Sequence, residues 1–148
     1  MRADALMTSD PITCQPEDDL HCAVRIMKTE NCGIVPVTKG NGETRVVGVV
    51  TDRDIALYLG TTDAKASTVR VQEVMSTSLV SCPPDADAHE VSRRMQAAQV
   101  RRLLVLEEGR HLVGVISTAD LARATGYGLG IGEEVKQIVV EVSRPTSW

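Results

Sequence analysis

At 148 residues the chain is long enough for one domain, or for two very small ones that pack against each other. Its net charge of −4 and its few aromatic residues (two tyrosines, one tryptophan, no phenylalanine) argue against a nucleic-acid-binding protein. No run approaches about 18 consecutive apolar residues and the N-terminus lacks the apolar core of a signal peptide, so we expect a cytoplasmic protein with reduced thiols and no membrane span.

The first half of the chain is predicted to form a short helical lead-in followed by strand, helix, strand, strand and helix. In the first long helix Leu20, Val24 and Met27 recur at helical spacing and are predicted to form one apolar face. Glycine and asparagine in the segment 39–43 predict a hairpin turn between the last two strands. The lead-in is predicted at Ala3–Met7, the first two strands at Pro11–Cys14 and Gly33–Val37, and the third strand with its closing helix from Val46.

The second half repeats this order. VVGVVTDRDIA at 46–56 returns as LVGVISTADLA at 112–122, and such a repeat indicates two copies of one β-α-β-β-α unit. The copies are predicted at 3–60 and 71–125, with a linker at 61–70 and an extension at 126–148 that carries a short amphipathic helix. The matching features of the second copy are the lead-in Val71–Met75, the strands Leu79–Cys82 and Arg101–Val105, and the apolar helix face Ala88, Val91, Met95 and Ala98.

Each copy places a hydroxyl residue at the start of its last helix and an aspartate three positions later. These residues are Thr51 and Asp54 in the first copy, and Ser117 and Asp120 in the second. A helix start offers free N–H groups and the positive end of the helix dipole, which suit a phosphate. The same pattern is typical of a helix cap that needs no ligand and is worth about 1 kcal/mol. We favour ligand contact, and the two roles are compatible.

Charged residues distinguish the two copies. Arg53 lies inside the first motif, where a guanidinium can pair with a phosphate, whereas Ala119 has the matching position in the second. Arg101 and Arg102 on the middle strand of the second copy have no charged counterpart in the first. The sequence therefore predicts two sites of unequal chemistry.

The four cysteines form no Cys-x-x-Cys pair, so no standard zinc or redox motif is predicted. We interpret them as small core residues, with metal or redox roles as the less favoured alternative. They are Cys14, Cys22, Cys32 and Cys82.

The segment GVVTDRD at 48–54, repeated as GVISTAD at 114–120, resembles the signature of a pair of CBS domains, also called a Bateman module. The chain is similar to small stand-alone bacterial proteins that carry little besides such a pair, and the resemblance covers residues 3–125. It implies a mixed α/β (α+β) fold in which the two motifs pack as a pseudo-two-fold pair.

The resemblance implies regulatory ligand binding rather than catalysis, in clefts that take AMP, ADP, ATP or other adenosyl compounds. In such proteins the aspartate of the motif bonds the ribose hydroxyls, and the preceding threonine or serine contacts sugar or phosphate. These roles correspond to Asp54 with Thr51 and to Asp120 with Ser117, and Arg53 is a candidate phosphate contact. The adenine base is expected against apolar backbone around Ile12, Ile34, Val35 and Pro36 in one cleft, and around Val80, Arg102 and Leu103 in the other. No catalytic residue, metal or obligatory cofactor is expected.

The function that we favour is a nucleotide sensor that signals through a homodimer to a protein partner not identified by the sequence. One alternative is an interaction protein with vestigial clefts, and another is a redox or stress-response protein that uses its cysteines. An enzyme is disfavoured because the sequence places no Cys–His or Ser–His–Asp constellation.

Overall fold

The computed structural model describes residues 1–126, so the predicted helix of the C-terminal extension lies outside the described residues. The described part has a mixed α+β fold, as the sequence predicts. In chain order its helices and strands are α1 (Ala3–Leu6), β1 (Thr8–Ser9), α2 (Leu20–Glu30), β2 (Ile34–Gly40), β3 (Glu43–Thr51), α3 (Asp52–Gly60), β4 (Ser81–Cys82), α4 (Ala88–Ala98), β5 (Arg102–Glu107), β6 (His111–Ser117) and α5 (Thr118–Gly126). The lead-in predicted at Val71–Met75 is a shorter 3₁₀ turn, Val71–Glu73.

The chain folds into two compact units that exchange their lead-ins. The first-repeat unit comprises Pro11–Leu79 and Gly109–His111. Within the described residues, the second-repeat unit comprises Met1–Asp10, Val80–Glu108 and residues 112–126. The lead-in of each repeat therefore packs with the body of the other repeat.

In the first-repeat unit β2 and β3 form an antiparallel hairpin, with Ile34 opposite Thr51 and Val37 opposite Gly48. The strand predicted at Pro11–Cys14 is reduced to one parallel bridge between Cys14 and Val37. Helix α2 packs between β2 and the 3₁₀ turn at 66–68 and covers an apolar core. That core consists of Cys14, Leu20, Ala23, Val35, Val37, Val50, Ile55, Val69 and Val71.

In the second-repeat unit β5 lies between β4, which runs parallel to it, and β6. The exchanged lead-in adds β1 to β6, with Thr8 opposite Val115. Backbone bonds fix the lead-in further, because Ala3 N donates to Ala86 O at 2.7 Å. The core consists of Ala3, Leu6, Cys82, Ala86, Ala88, Val91, Met95, Leu103, Val105, Ile116, Leu121 and Ala124.

A methionine from each exchanged lead-in lies over the motif glycine of the unit that receives it. A Cβ atom at Gly48 would lie 2.7 Å from Met75 Sδ, and one at Gly114 would lie 2.7 Å from Met7 Cγ. Since real Cβ atoms do not approach other atoms this closely, both positions require a residue without a side chain.

The predicted apolar faces of the two long helices are partly wrong. Val24 is 41% exposed, and α2 instead buries Leu20 and Ala23, because β2 and the 66–68 turn contact the helix along that side. In α4 Ala98 is exposed and Ser92 is buried, where its Oγ accepts a hydrogen bond of 3.1 Å from Gln96 Nε2. No helix within residues 1–126 is long and apolar enough to cross a bilayer.

Candidate ligand-binding site

The first candidate site is the junction of β3 and α3. Thr51 is extended (φ −111°, ψ 161°) and is the N-cap of α3. Asp54 N donates to Thr51 Oγ1 at 3.1 Å, and Thr51 N donates to Asp54 Oδ2 at 3.0 Å. This capping box stabilises the helix start and fixes the orientation of the Asp54 carboxylate.

The cap uses only one oxygen of Asp54. No donor in residues 1–126 contacts Oδ1, and the side chain is only half-buried. The neighbouring Arg53 is exposed, and its guanidinium pairs with no acidic side chain in the described part of the chain. One helix start therefore presents a carboxylate acceptor and a guanidinium. Its first three backbone N–H groups are already engaged, because Asp52 N donates to Gly33 O, Arg53 N to Asp52 Oδ1 and Asp54 N to Thr51 Oγ1.

Apolar residues of the same unit lie beside this junction. Ile34 pairs with Thr51 across the hairpin, and Asp52 N donates to Gly33 O at 3.0 Å. The segment that carries Ile12 reaches the same strand through Cys14 N, which donates to Pro36 O at 3.1 Å.

These apolar residues differ in what they offer a ligand. Ile12 is 50% exposed and Ile34 is half-buried, so both side chains are accessible. Val35 is fully buried in the core and Pro36 is also buried, so a ligand reaches them only through their backbone.

The second candidate site is the junction of β6 and α5, where the same box is completed differently. Ser117 N and Ser117 Oγ both donate to Asp120 Oδ2, at 2.7 and 3.1 Å, and Asp120 N donates to Ser117 Oγ at 3.3 Å. Arg123 Nη2 donates to the other oxygen, Oδ1. Both oxygens of Asp120 are thus engaged within the protein, and the residue is only 8% exposed.

Of the remaining residues predicted for the second site, Arg102 and Leu103 lie on β5, and Val80 directly precedes β4. Leu104 N donates to Val80 O at 3.0 Å, and Thr118 N donates to Arg101 O at 2.9 Å, so the backbone brings these segments together. The Leu103 side chain is fully buried in the core, whereas Val80 and Arg102 are half-buried.

The sequence predicted neither the partner of Asp120 nor a depression elsewhere in the first-repeat unit. Arg123 follows Asp120 by three helical positions, a spacing that places the two side chains on one face, and this signal was available. The second feature is a depression of about 610 Å³ in the first-repeat unit, formed with the longer hairpin turn. Its lining contains none of the predicted site residues and consists of Pro16, Glu17, Lys39, Gly40, Asn41, Glu43, Val47, Gln72 and Met75.

The cysteines have the properties of structural residues. All four are free thiols, and Cys14 and Cys82 are buried. Burial, with smaller contributions from Cys22 and Asp18, raises the pKa of Cys14 to about 12, and burial raises the pKa of Cys82 to about 11. Burial and the nearby Asp18 also raise the pKa of Cys22. Such thiols stay protonated near neutral pH and are poor nucleophiles. In residues 1–126 no three histidine, cysteine or acidic side chains cluster closely enough to hold a metal ion.

Sequence comparisons give a consistent result. The profile of the CBS domain matches the chain twice, over residues 3–61 and 71–127. CBS domain-containing protein YhcV of Bacillus subtilis is 36% identical over 116 residues, which are 78% of this chain and 79% of that protein. Hypoxic response protein 1 of Mycobacterium tuberculosis is 31% identical over 113 residues, or 76% and 77% of the two chains.

Solved structures show the same architecture. Hypoxic Response Protein I, solved with two coordinated zinc ions, superposes with a TM-score of 0.72 at 27% identity, over 83% of this chain and 98% of that one. The CBS domain pair of protein MJ0100, solved with 5-methylthioadenosine and S-adenosyl-L-methionine, has a TM-score of 0.76 at 20% identity, over 86% and 98%. The second likeness is one of fold.

Proposed function

Since the chain belongs to the CBS domain family and carries two CBS domains in tandem, we propose that it is a cytoplasmic, non-catalytic regulatory protein that binds an adenosyl ligand. The observation that carries this proposal is the arrangement at the start of α3. There the cap engages one oxygen of Asp54, while no group in residues 1–126 contacts the other. A carboxylate oriented in this way can accept hydrogen bonds from the vicinal hydroxyls of a ribose.

The other groups at this junction suit the remaining parts of a nucleotide. The positive end of the α3 dipole and the exposed Arg53 favour a phosphate or another anionic group. The accessible side chains of Ile12 and Ile34 offer an apolar surface to the adenine ring. The members of the ligand class are AMP, ADP, ATP and related adenosyl compounds, and the ligand of MJ0100 makes S-adenosylmethionine a further probe.

A thermal-shift panel tests this proposal. Ligand-stripped protein is heated with AMP, ADP, ATP, S-adenosylmethionine or NAD, and Asp54→Asn is the paired variant. A ligand at about 100 times its Kd stabilises the fold by about 2.7 kcal/mol, which corresponds to a rise in Tm of about 5–10 °C for a chain of this size. The asparagine keeps an acceptor for the Thr51 cap but replaces the second acceptor with a donor, so at the same ligand concentration the shift should fall to about half or less while the fold remains. No shift with any compound would contradict the proposal.

We further propose that ligand binding is signalled through a homodimer. Size and family support this proposal, and Val24 on α2 and Leu57 on α3, two helices that contact each other, are exposed apolar side chains (41% and 53%) that a second copy could cover. A ligand changes the shape of a dimer only if it binds two states with different affinity. Sedimentation velocity with and without the ligand is the test, and a monomer at micromolar concentration in both samples would contradict signalling by this route.

An interaction protein with vestigial sites is the second candidate, and the second repeat favours it. There the protein itself satisfies both oxygens of Asp120, which is what a helix cap without a ligand requires. If no compound raises the Tm, this second candidate is favoured, and a pull-down for protein partners is the next experiment.

A further inference from the structure

We infer that the two repeats differ in ligand binding, so that the chain holds one adenosyl ligand, at the first repeat, and that Arg123 weakens the second site. This inference rests on the proposed function. Arg123 lies outside the repeated motif, and its ion pair with Asp120 is what weakens ligand binding at the second site.

The difference begins with the two carboxylates. Asp54 receives one backbone donor on Oδ2, and no donor in residues 1–126 reaches its Oδ1. Asp120 receives two donors from Ser117 on Oδ2 and one from Arg123 on Oδ1. A ribose hydroxyl can therefore approach Asp54 directly, whereas at the buried Asp120 it competes with the guanidinium for Oδ1.

The residue responsible has a clear counterpart in the other repeat. The offset of 66 residues between the two motifs places Leu57 at the position of Arg123. Leucine cannot donate to a carboxylate, and Leu57 is 53% exposed. The one position three residues after each aspartate therefore decides whether the carboxylate is engaged internally.

A second difference acts in the same direction. The cation that can meet an anionic group of the ligand is Arg53 in the first repeat, and its counterpart is Ala119. The second junction thus loses an acceptor to Arg123 and has alanine at the motif position that Arg53 holds in the first repeat.

The competition from Arg123 is moderate. Exposed ion pairs resist a competing partner by up to about fivefold. The Arg123 side chain is 65% exposed, but that of Asp120 is only 8% exposed. A carboxylate that is desolvated in this way is costly to separate from its cation, so the resistance exceeds that of a pair exposed on both sides.

Titration calorimetry on the full chain, stripped of ligand, tests the inference with AMP, ATP and S-adenosylmethionine as probes. We expect one equivalent bound per chain, and a loss of affinity of about tenfold or more in Asp54→Asn. Arg123→Leu should add a second, weaker equivalent, and that equivalent should survive in the double variant with Asp54→Asn.

The reciprocal substitution, arginine at position 57 of the first repeat, tests the inference independently. Leu57→Arg should place a guanidinium beside Asp54 and weaken binding by about fivefold relative to Leu57→Ala, its matched control without a donor. Both changes remove the same apolar surface, so an effect of a helix surface shared with a second copy appears in both. Circular dichroism confirms that each variant is folded.

The outcomes separate the inference from the proposed function. Two equivalents in the unaltered chain, undiminished affinity in Asp54→Asn, or a single equivalent in Arg123→Leu would each overturn the inference while ligand binding itself stands. Absence of binding heat with all three probes, in folded protein, would overturn the proposed function and the inference with it.

Discussion

Helix α3 and helix α5 begin in the same way and are completed by different partners. In both, a hydroxyl residue caps the helix and an aspartate returns a bond to the backbone of the cap. At α3 the aspartate keeps one oxygen that no group in residues 1–126 contacts, whereas at α5 Arg123 engages the second oxygen. A shared motif therefore establishes the helix start, while a side chain outside the motif decides whether its carboxylate is available to a ligand.

Other matched positions extend this comparison. In each unit a methionine lies over the motif glycine, at Gly48 and at Gly114. The buried thiols Cys14 and Cys82 have different charged neighbours. The residue that follows the long helix also differs, Asn31 in one unit and Gln99 in the other. Substitution at each matched pair of residues tests whether the free energy of unfolding changes equally in the two units.

The largest effect on stability is expected from alanine at the motif glycines. At Gly114 the new Cβ would lie 2.7 and 2.9 Å from Met7 Cγ and Cβ, and at Gly48 it would lie 2.7 Å from Met75 Sδ and 2.9 Å from Ser76 O. Overpacking of this kind costs about 1–3 kcal/mol. Urea unfolding should therefore show a loss of that size in both variants.

Two controls identify the cause of that loss. Gly60→Ala adds a Cβ with no atom within 4 Å, so it should be neutral or slightly stabilising. Adding Met7→Ala to Gly114→Ala should recover much of the loss, because the three closest atoms all belong to Met7. Adding Met75→Ala to Gly48→Ala should recover less, since Ser76 O accepts from Val49 N at 2.9 Å and is fixed by the backbone. Equal recovery in the two units would contradict this account.

The next effect is alkaline destabilisation by the buried thiols. Their ordinary pKa of 9.0 is raised in the folded state to about 12 for Cys14 and to about 11 for Cys82. The unfolded chain therefore loses these protons first, and the free energy of unfolding falls as pH rises above about 9. The slope is at most about 1.4 kcal/mol per pH unit for each thiol.

Alanine at each thiol separates the two contributions. The fall continues to about pH 12 for Cys14 but ends near pH 11 for Cys82, whose thiolate is favoured by the nearby Arg94. Urea midpoints between pH 8 and 11.5 should therefore fall less steeply in Cys14→Ala than in Cys82→Ala at the upper end of the range. Identical slopes in the two variants and in the unaltered chain would show that the thiols do not carry the effect.

Much of the fold could be predicted because the repeat is local. Alternating apolar residues, hydroxyl caps and the turn glycines determine each β-α-β-β-α unit from within a short stretch of chain. The structure shows these elements except the first strand of the first copy, of which one bridge between Cys14 and Val37 remains. The exchange of lead-ins could not be predicted in this way. Met7 and Met75 precede similar sequences, and Gly48 and Gly114 offer similar surfaces, so the choice of partner depends on tertiary packing.

The candidate site was predictable at its backbone and less so at its side chains. The positions of Thr51 and Asp54 follow from the motif, and the structure places them in one capping box. The burial of Val35 in the core and the pairing of Arg123 with Asp120 depend on which face of a strand or helix is covered. The spacing of Arg123 was visible in the sequence, but a pair on a helix surface forms only where rotamers and burial allow it.

A smaller effect is expected at the cap residues. Thr51→Ala removes one acceptor and should cost about 1 kcal/mol. Ser117→Ala should cost more, because the hydroxyl also donates to Asp120, and a buried carboxylate then loses a donor. Thermal unfolding measures both, with Thr51→Ser as the control that retains the hydroxyl. A larger loss at Thr51 than at Ser117 would contradict the comparison.

The smallest effect is expected where the two long helices end. Asn31 follows α2 with φ 50° and ψ 52°, and Gln99 follows α4 with φ 53° and ψ 44°, so both residues are left-handed. Asparagine tolerates this conformation better than glutamine, and glycine tolerates it best. Gln99→Gly should therefore raise the free energy of unfolding by about 0.5–1 kcal/mol, and Asn31→Gly by less.

The control for this last comparison is Gln99→Ala, which shortens the side chain but keeps the Cβ that makes a positive φ unfavourable. Urea unfolding should show no gain in that variant, so a gain in Gln99→Gly reports the backbone conformation rather than the lost amide. If Gln99→Gly destabilises the protein as much as Gln99→Ala does, then the glutamine side chain stabilises the helix end. The two units would then differ there in side-chain contacts, as they do at Asp54 and Asp120, rather than in backbone strain.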